Sequence, residues 1–153
     1  MKMWPHVWLA VQPSLKIEGQ TAEFAAGDVA WFAIDGTHSC VMSCQHGRPM
    51  GRFAGHNVVC DLLGEPMLPL TIDWYTTILD LGAWGAVYTE GWERQVVAQG
   101  TAAKRTKETI NQKRIYQPLS RDRQEILAAA APIVQTPPAY FAGRTANESN
   151  YEK

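Results

Sequence analysis

The stretch Ile72–Gln99, IDWYTTILDLGAWGAVYTEGWERQVVAQ, decides how the rest of the chain is read. Large side chains recur at Trp74, Ile78, Leu81, Tyr88 and Trp92, and Gly85 fills the one gap. Steps of four, three, seven and four residues lay these positions along one helical face, so the spacing predicts a helix. Gly82, Ala83, Gly85 and Ala86 sit in its middle. Glycine costs about 1 kcal/mol against alanine inside a helix. Two glycines three apart therefore call for close approach by another backbone. Trp74, Gly82, Gly85 and Trp92 are accordingly the expected helix-packing interface. The alternative is that Gly82 or Gly85 ends the helix.

Upstream, the pattern is that of strands. Val7, Leu9 and Val11 alternate with Trp8, Ala10 and Gln12 until Pro13 closes the run, and Leu15 and Ile17 suggest a second short strand. DVAWFAI, residues 28–34, is apolar on both faces, as in a strand buried on both sides. Asp35-Gly36 follows as a hairpin signal, with a return strand expected over His38 to Cys44. The glycines and Pro49 between Gln45 and Gly55 read as a loop, and Val58, Cys60 and Leu62 as a last strand. Gly64, Pro66 and Pro69 lead into the helical half, where Thr71 and Asp73 are expected caps. After an interruption at Glu90-Gly91, a second helix is expected from Trp92 to about Tyr116, ended by Gln117-Pro118. Ser120 is the expected cap of a short third helix, RDRQEILAAAA, which Pro132 stops. Residues 132–153 read as an extended arm with Tyr140, Phe141 and Tyr151 as anchors for a groove supplied from outside.

The totals describe a folded domain. The chain has 153 residues, 46% apolar and 19% charged, with a formal net charge of −1 and six tryptophans. At that length it can bury roughly two thirds of its unfolded surface. Near-neutral charge gives no global attraction for nucleic acid or an anionic membrane, and no apolar run approaches the roughly 20 residues of a membrane span. MKMWPHVWLAVQP lacks the pattern of a signal peptide. Three cysteines, an odd number, argue for free thiols and a reducing compartment.

Three constellations bear on chemistry. His38, Cys40, Cys44, His46, His56 and Cys60 are zinc-ligand residue types crowded together. On a straight strand, however, Cys40 and Cys44 would lie roughly 13 Å apart, far beyond what zinc–sulfur bonds of about 2.3 Å can span. AGDVAWFAIDGTHSCVM loosely resembles the Gly-Asp strand and histidine strand of NlpC/P60-type cysteine peptidases. In that family the nucleophilic cysteine precedes the histidine strand, and here none does. The segment AKRTKETINQKRIYQPLSRDR holds seven of the fourteen Lys and Arg residues, opposed only by Glu108 and Asp122. Lys104, Arg105, Lys107, Lys113 and Arg114 form either a solvated helix face or a contact for an acidic partner or a DNA backbone. No glycine-rich phosphate loop and no placed carboxylate pair occurs, so no catalytic, cofactor-binding or metal-ligating residue is assigned.

One resemblance covers roughly residues 66–117. The run LPLTIDWYTTILDLGAWGAVYTEGWERQVVAQGTAAKRTKETI resembles the helical hairpin of tailed-phage head-to-tail adaptor (connector) proteins. It shares with them a proline-containing lead, an acidic-aromatic start at Asp73, Trp74 and Tyr75, a small-residue helix and a charged turn. The resemblance implies a non-enzymatic virion subunit, assembled in the host cytoplasm as a homo-oligomeric ring against portal or tail proteins. The fold expected is α+β. An antiparallel β portion over residues 1–65 and a helical portion over 70–131 form one domain, and the arm follows. A small cysteine-dependent hydrolase or metal enzyme built on His38, Cys40, Cys44 and Cys60 is the alternative from another class. A soluble adaptor acting through Lys104 to Arg123 is the third reading.

Overall fold

A computed structural model describes residues 8–138, and the chain is α+β. Its order is β1 (Leu9–Ala10), β2 (Ala30–Trp31), α1 (Cys44–Leu63), β3 (Thr76–Asp80), β4 (Ala86–Glu90), β5 (Gln95–Gln99), α2 (Gly100–Thr109) and α3 (Arg123–Ala129). It divides into two compact units. The first holds residues up to Asp73 with Pro118–Gln135, and the second holds Trp74–Gln117 with the chain from Thr136 onward. The arm anchors Tyr140, Phe141 and Tyr151 lie outside the described residues, as does Val7 of the first expected strand.

In the first unit β1 and β2 run parallel, with Leu9 opposite Ala30 and Ala10 opposite Trp31. The antiparallel pairing expected for this half survives only as isolated bridges, Val11 to Ile17, Lys16 to Phe24 and Ala33 to Ser39. The Asp35-Gly36 turn forms as read: Asp35 Oδ1 accepts from the Thr37 and His38 N–H groups, and Ile34 N–H donates to His38 O. Downstream the expected loop and last strand are replaced by α1, a helix of 20 residues. His46, Pro49, Met50, Phe53, Ala54 and Asn57 are its buried positions, at the spacing of one helical face. They pack in a unit whose buried apolar residues include Val11, Leu15, Phe32, Ile34, Leu70 and Ile72. Gly64 ends the helix in the left-handed conformation, φ 71°, and Glu65 N–H returns to Cys60 O at 2.8 Å.

Asn57 locks this unit internally. Its amide donates to Ser14 O (2.9 Å) and Leu68 O (2.8 Å) and accepts from Leu68 N–H (2.8 Å). A fully buried amide is tolerable only when so satisfied. Lys16 and Asp61 pair at 2.8 Å, and Arg48 reaches Gln135 Oε1 at 2.9 Å.

The helix expected across Ile72–Gln99 is a three-stranded antiparallel sheet in the second unit, ordered β3-β4-β5. Thr76, Thr77, Ile78, Val87, Thr89, Val96 and Val97 are β-branched and suit a pleated surface. Gly82 (φ 62°) and Gly85 (φ 98°) serve the turn before β4, and Gly91 (φ 73°) with Arg94 (φ 54°) the turn before β5. Ile78 stands opposite Tyr88, and Tyr88 opposite Ala98. Ala86, Tyr88, Ala98 and Ala103 form the core, with Ile78 and Val97 packed on it. The second expected helix is shorter than read: α2 begins only at Gly100 and continues as one π turn, Ile110–Arg114. The short third helix forms, although its cap is Asp122, which accepts from Glu125 N–H at 2.9 Å, while Ser120 Oγ bonds the Glu125 carboxylate.

Candidate functional site

Each residue singled out in the sequence can now be placed. Gly85 does meet another backbone, but at a turn: a Cβ there would lie 2.6 Å from Gly100 C and O. Gly82 has nothing within 4 Å. Trp92 stacks on Tyr75, centroids 4.3 Å apart and planes 6° apart, and Trp74 is half-buried beside it in sequence. Lys104 binds both carboxylate oxygens of Asp80 at 2.8 Å, and Arg114 donates to Thr136 O at 2.6 Å. Arg105 and Lys113 are exposed, and Lys107 is half-buried. The basic segment is thus partly spent on its own unit.

The Cys/His cluster disperses. Cys40, Cys44 and Cys60 are free thiols. Cys44 opens α1, so the extended-strand spacing invoked against a metal does not apply to it. Cys60 Sγ faces His56 Nε2 at 3.4 Å one turn earlier, and Cys40 Sγ donates to Ala30 O at 3.3 Å. No group of three His, Cys, Asp or Glu side chains among the described residues could hold a metal. His38 Nδ1 pairs with Asp35 Oδ2 at 2.8 Å. His46 is fully buried, and its Nδ1 accepts from Val41 N–H at 2.9 Å. Burial lowers its pKa to about 4, with Asp35 acting weakly the other way.

Sequence reading missed the feature with the clearest chemical potential, in the first unit. Gly27–Val29 forms a 3₁₀ turn, with Gly27 at φ 77°. Only a residue without a Cβ enters that conformation freely. The turn abuts the first turn of α1, where a Cβ on Gly47 would lie 3.7 Å from Gly27 Cα. Beside it is a crevice of about 190 Å³ lined by Trp8, Asp28, Trp31, Ser39, Cys40 and Met42, among others. Asp28 is exposed there. Ser43, the residue before α1, has extended dihedrals but makes no cap bond. Its Oγ is buried without a hydrogen-bond partner among the described residues.

The chemistry of this corner follows from those parts. A helix N-terminus presents unpaired N–H groups and a partial positive charge. The buried Ser43 hydroxyl sits beside them, the exposed Asp28 carboxylate can accept hydrogen bonds, and two indoles offer flat apolar surfaces. Such a set suits a ligand that carries an anionic or carbonyl-rich group, hydroxyls and a planar ring. The signal in the sequence is Gly27-Asp28 ahead of a helix, hidden by the loop and strand expected between Gln45 and Leu62.

These features define an α+β protein with a small crevice in its first unit, lined by two indoles, a carboxylate and the segment that leads into α1. The chain is 60% identical over 130 residues, 85% of its length, to NADH dehydrogenase-like proteins of two Mycobacterium tuberculosis strains, CDC 1551 and H37Rv. It spans about a third (32%) of those curated relatives. No protein-family model matches it. This similarity overturns the phage-connector resemblance together with the virion location and structural role it implied. It likewise favours neither the cysteine hydrolase or metal enzyme nor the acidic-partner adaptor. The pattern resemblance failed because it rested on a helical hairpin where the chain has strands. Among the described residues, no helix is long and apolar enough to cross a membrane.

Proposed function

We propose that this chain supplies part of an NADH-oxidising oxidoreductase, and that the crevice beside α1, about 190 Å³, receives one end of a dinucleotide of that reaction. The observation that carries the reading is the 60% identity over 130 residues to NADH dehydrogenase-like proteins. NADH gives up a hydride, so the reaction needs an acceptor of two electrons and a proton; a flavin is the cofactor class that supplies this chemistry. The parts on hand fit such a group. The α1 N-terminus would be the donor for phosphate or ring carbonyl oxygens. The Asp28 carboxylate is an acceptor for sugar or polyol hydroxyls, and Trp8 and Trp31 are surfaces for a ring.

Calorimetric titration of the full chain with flavin adenine dinucleotide and, separately, NADH tests this. Saturable binding of one of them is expected, weakened about tenfold or more in Asp28→Ala. An equal affinity in Asp28→Ala and wild type would move the site elsewhere. No binding of either to a folded chain would remove the reading.

A further inference from the structure

The positive charge of the first unit is placed against the grain of its helix. α1 has no acid in its first turn and no base in its last, and Arg48 and Arg52 stand in its N-terminal half. A helix dipole favours the opposite arrangement. The two arginines are four residues apart, a spacing at which like charges repel. The single carboxylate of α1, Asp61, is taken by Lys16 at 2.8 Å. By helical spacing both arginines lie on the side of α1 away from the buried Met50, Phe53 and Asn57. Both are nonetheless half-buried, and Arg52 Nη1 is buried without a hydrogen-bond partner among the described residues. Arg48 reaches only a neutral acceptor in Gln135 Oε1, at 2.9 Å. Burial, and after it the like charge of Arg48, hold the Arg52 pKa below its ordinary value. A guanidinium does not shed its proton in a protein, so this charge calls for an anion. Beside the arginines, Gly51 and Gly55 are exposed, and a Cβ on either would meet nothing within 4 Å. Each glycine costs a helix about 1 kcal/mol against alanine. Here the two leave a bare strip of backbone next to two guanidinium forks.

We propose that Arg48 and Arg52, over the bare strip at Gly51 and Gly55, bind a phosphate group that carries two negative charges. Two guanidinium ions balance such a dianion. A carboxylate has two oxygens and fills one fork, whereas a phosphate has three free oxygens to share between two. Free phosphate and the phosphate of a monoester share this chemistry. Neither arginine lines the crevice, so the site stands without the proposed function.

The test is calorimetric titration of the full chain with inorganic phosphate, glycerol phosphate and acetate at fixed ionic strength. Saturable binding of phosphate is expected, with acetate at least tenfold weaker. Tighter binding of glycerol phosphate would identify an ester as the natural ligand, tighter binding of inorganic phosphate the free ion, and either supports the site. Arg52→Met keeps the length of the side chain without its charge and should abolish binding. In phosphate-free buffer it should melt no lower than wild type, because an unpaired buried charge is gone. Arg52→Lys keeps the charge but loses the fork, and should bind about tenfold more weakly. No saturable binding of phosphate to the folded wild type overturns the inference. So does phosphate binding by Arg52→Met that equals wild type, or acetate binding as tight as phosphate. A lower melting point in Arg52→Met would mean that the arginine already has its partner within the chain, and overturns it as well. Flavin adenine dinucleotide, whose phosphates are diesters, should not displace phosphate; displacement would make the arginines part of the crevice and overturn a separate site.

Discussion

The two units solve the same problem, a small sheet with a helix on one side, in opposite ways. The second unit uses three antiparallel strands joined by tight turns, and its core is mostly alanine around one tyrosine. Small residues let α2 and the sheet approach so closely that Gly85 and Gly100 meet backbone to backbone. Its other face pairs the hydroxyls of Thr77 and the buried Thr89 and leaves Leu79 and Val96 exposed, as an antiparallel sheet can. The first unit uses two short parallel strands, large core side chains and one long helix, and its uncovered face is tryptophan and valine. The pairing direction makes the difference. The first unit leaves apolar residues exposed, and the proposed cofactor site borders them.

Disturbing the lock inside the first unit should have the largest effect. Asn57→Ala removes three hydrogen bonds and leaves Ser14 O and both backbone groups of Leu68 without this partner. With each buried orphan costing about 1–3 kcal/mol, a loss of about 4 kcal/mol is expected in urea denaturation. Asn57→Asp keeps the acceptor for Leu68 N–H but sets a buried carboxylate that cannot donate against Ser14 O and Leu68 O, and should lose at least as much.

In the second unit the corresponding break is Gly85→Leu. The new Cβ would overlap the Gly100 backbone at 2.6 Å, and φ is +98°. Overpacking and a disallowed backbone together should cost about 3 kcal/mol. If the variant is as stable as the parent, the close approach of the two glycines does not hold the turn.

Acid should act on the first unit through two groups. His46, buried and neutral, titrates at about 4 in the folded chain against the usual 6.5. Between those values the unfolded chain binds the proton and the folded chain does not. Stability is therefore present above pH 6.5 and falls toward pH 4, by about 3 kcal/mol. Asp35 acts in a lower window. Its backbone and side-chain hydrogen bonds to His38 hold its pKa well below the carboxylate range, so its stabilisation is lost only as pH falls below the usual value of 3.8. In His46→Gln the loss between pH 6.5 and 4 should vanish, as urea midpoints at several pH values would show.

The smallest effect is expected at the surface pair. Lys104→Ala removes the contact to Asp80, both partly exposed, and should change stability by under about 0.5 kcal/mol. A larger loss would mean that the basic segment helps hold the second sheet.

What was legible in the sequence depended on whether the local signal had one reading. The Asp35-Gly36 turn and the short third helix carry turn and helix chemistry with no rival, and both form. Ile72–Gln99 carried two. The steps of four, Trp74 to Ile78 and Tyr88 to Trp92, satisfy a helix and a strand alike, and the β-branched residues at 76–78, 87, 89, 96 and 97 break the tie. Gly82, Gly85 and Gly91 are turn glycines, a use that competes with the packing role assigned to them. The converse error lay at residues 44–63. Gly47, Gly51 and Gly55 recur every fourth residue, a helical spacing, yet with Pro49 among them they read as a loop. Tertiary packing of His46, Met50, Phe53 and Asn57 overrides the helix-breaking residues. The crevice went unread for the same reason, because its helix did.

Hydrogen exchange of the full chain with and without flavin adenine dinucleotide or NADH tests the contrast most directly. The account predicts slower exchange on ligand addition in residues 27–34 and 39–47, around the turn, β2 and the start of α1. Exchange in β3, β4, β5 and α2 should not change. Protection centred on the second unit, or no protection anywhere at ligand concentrations that saturate related oxidoreductases, would contradict it.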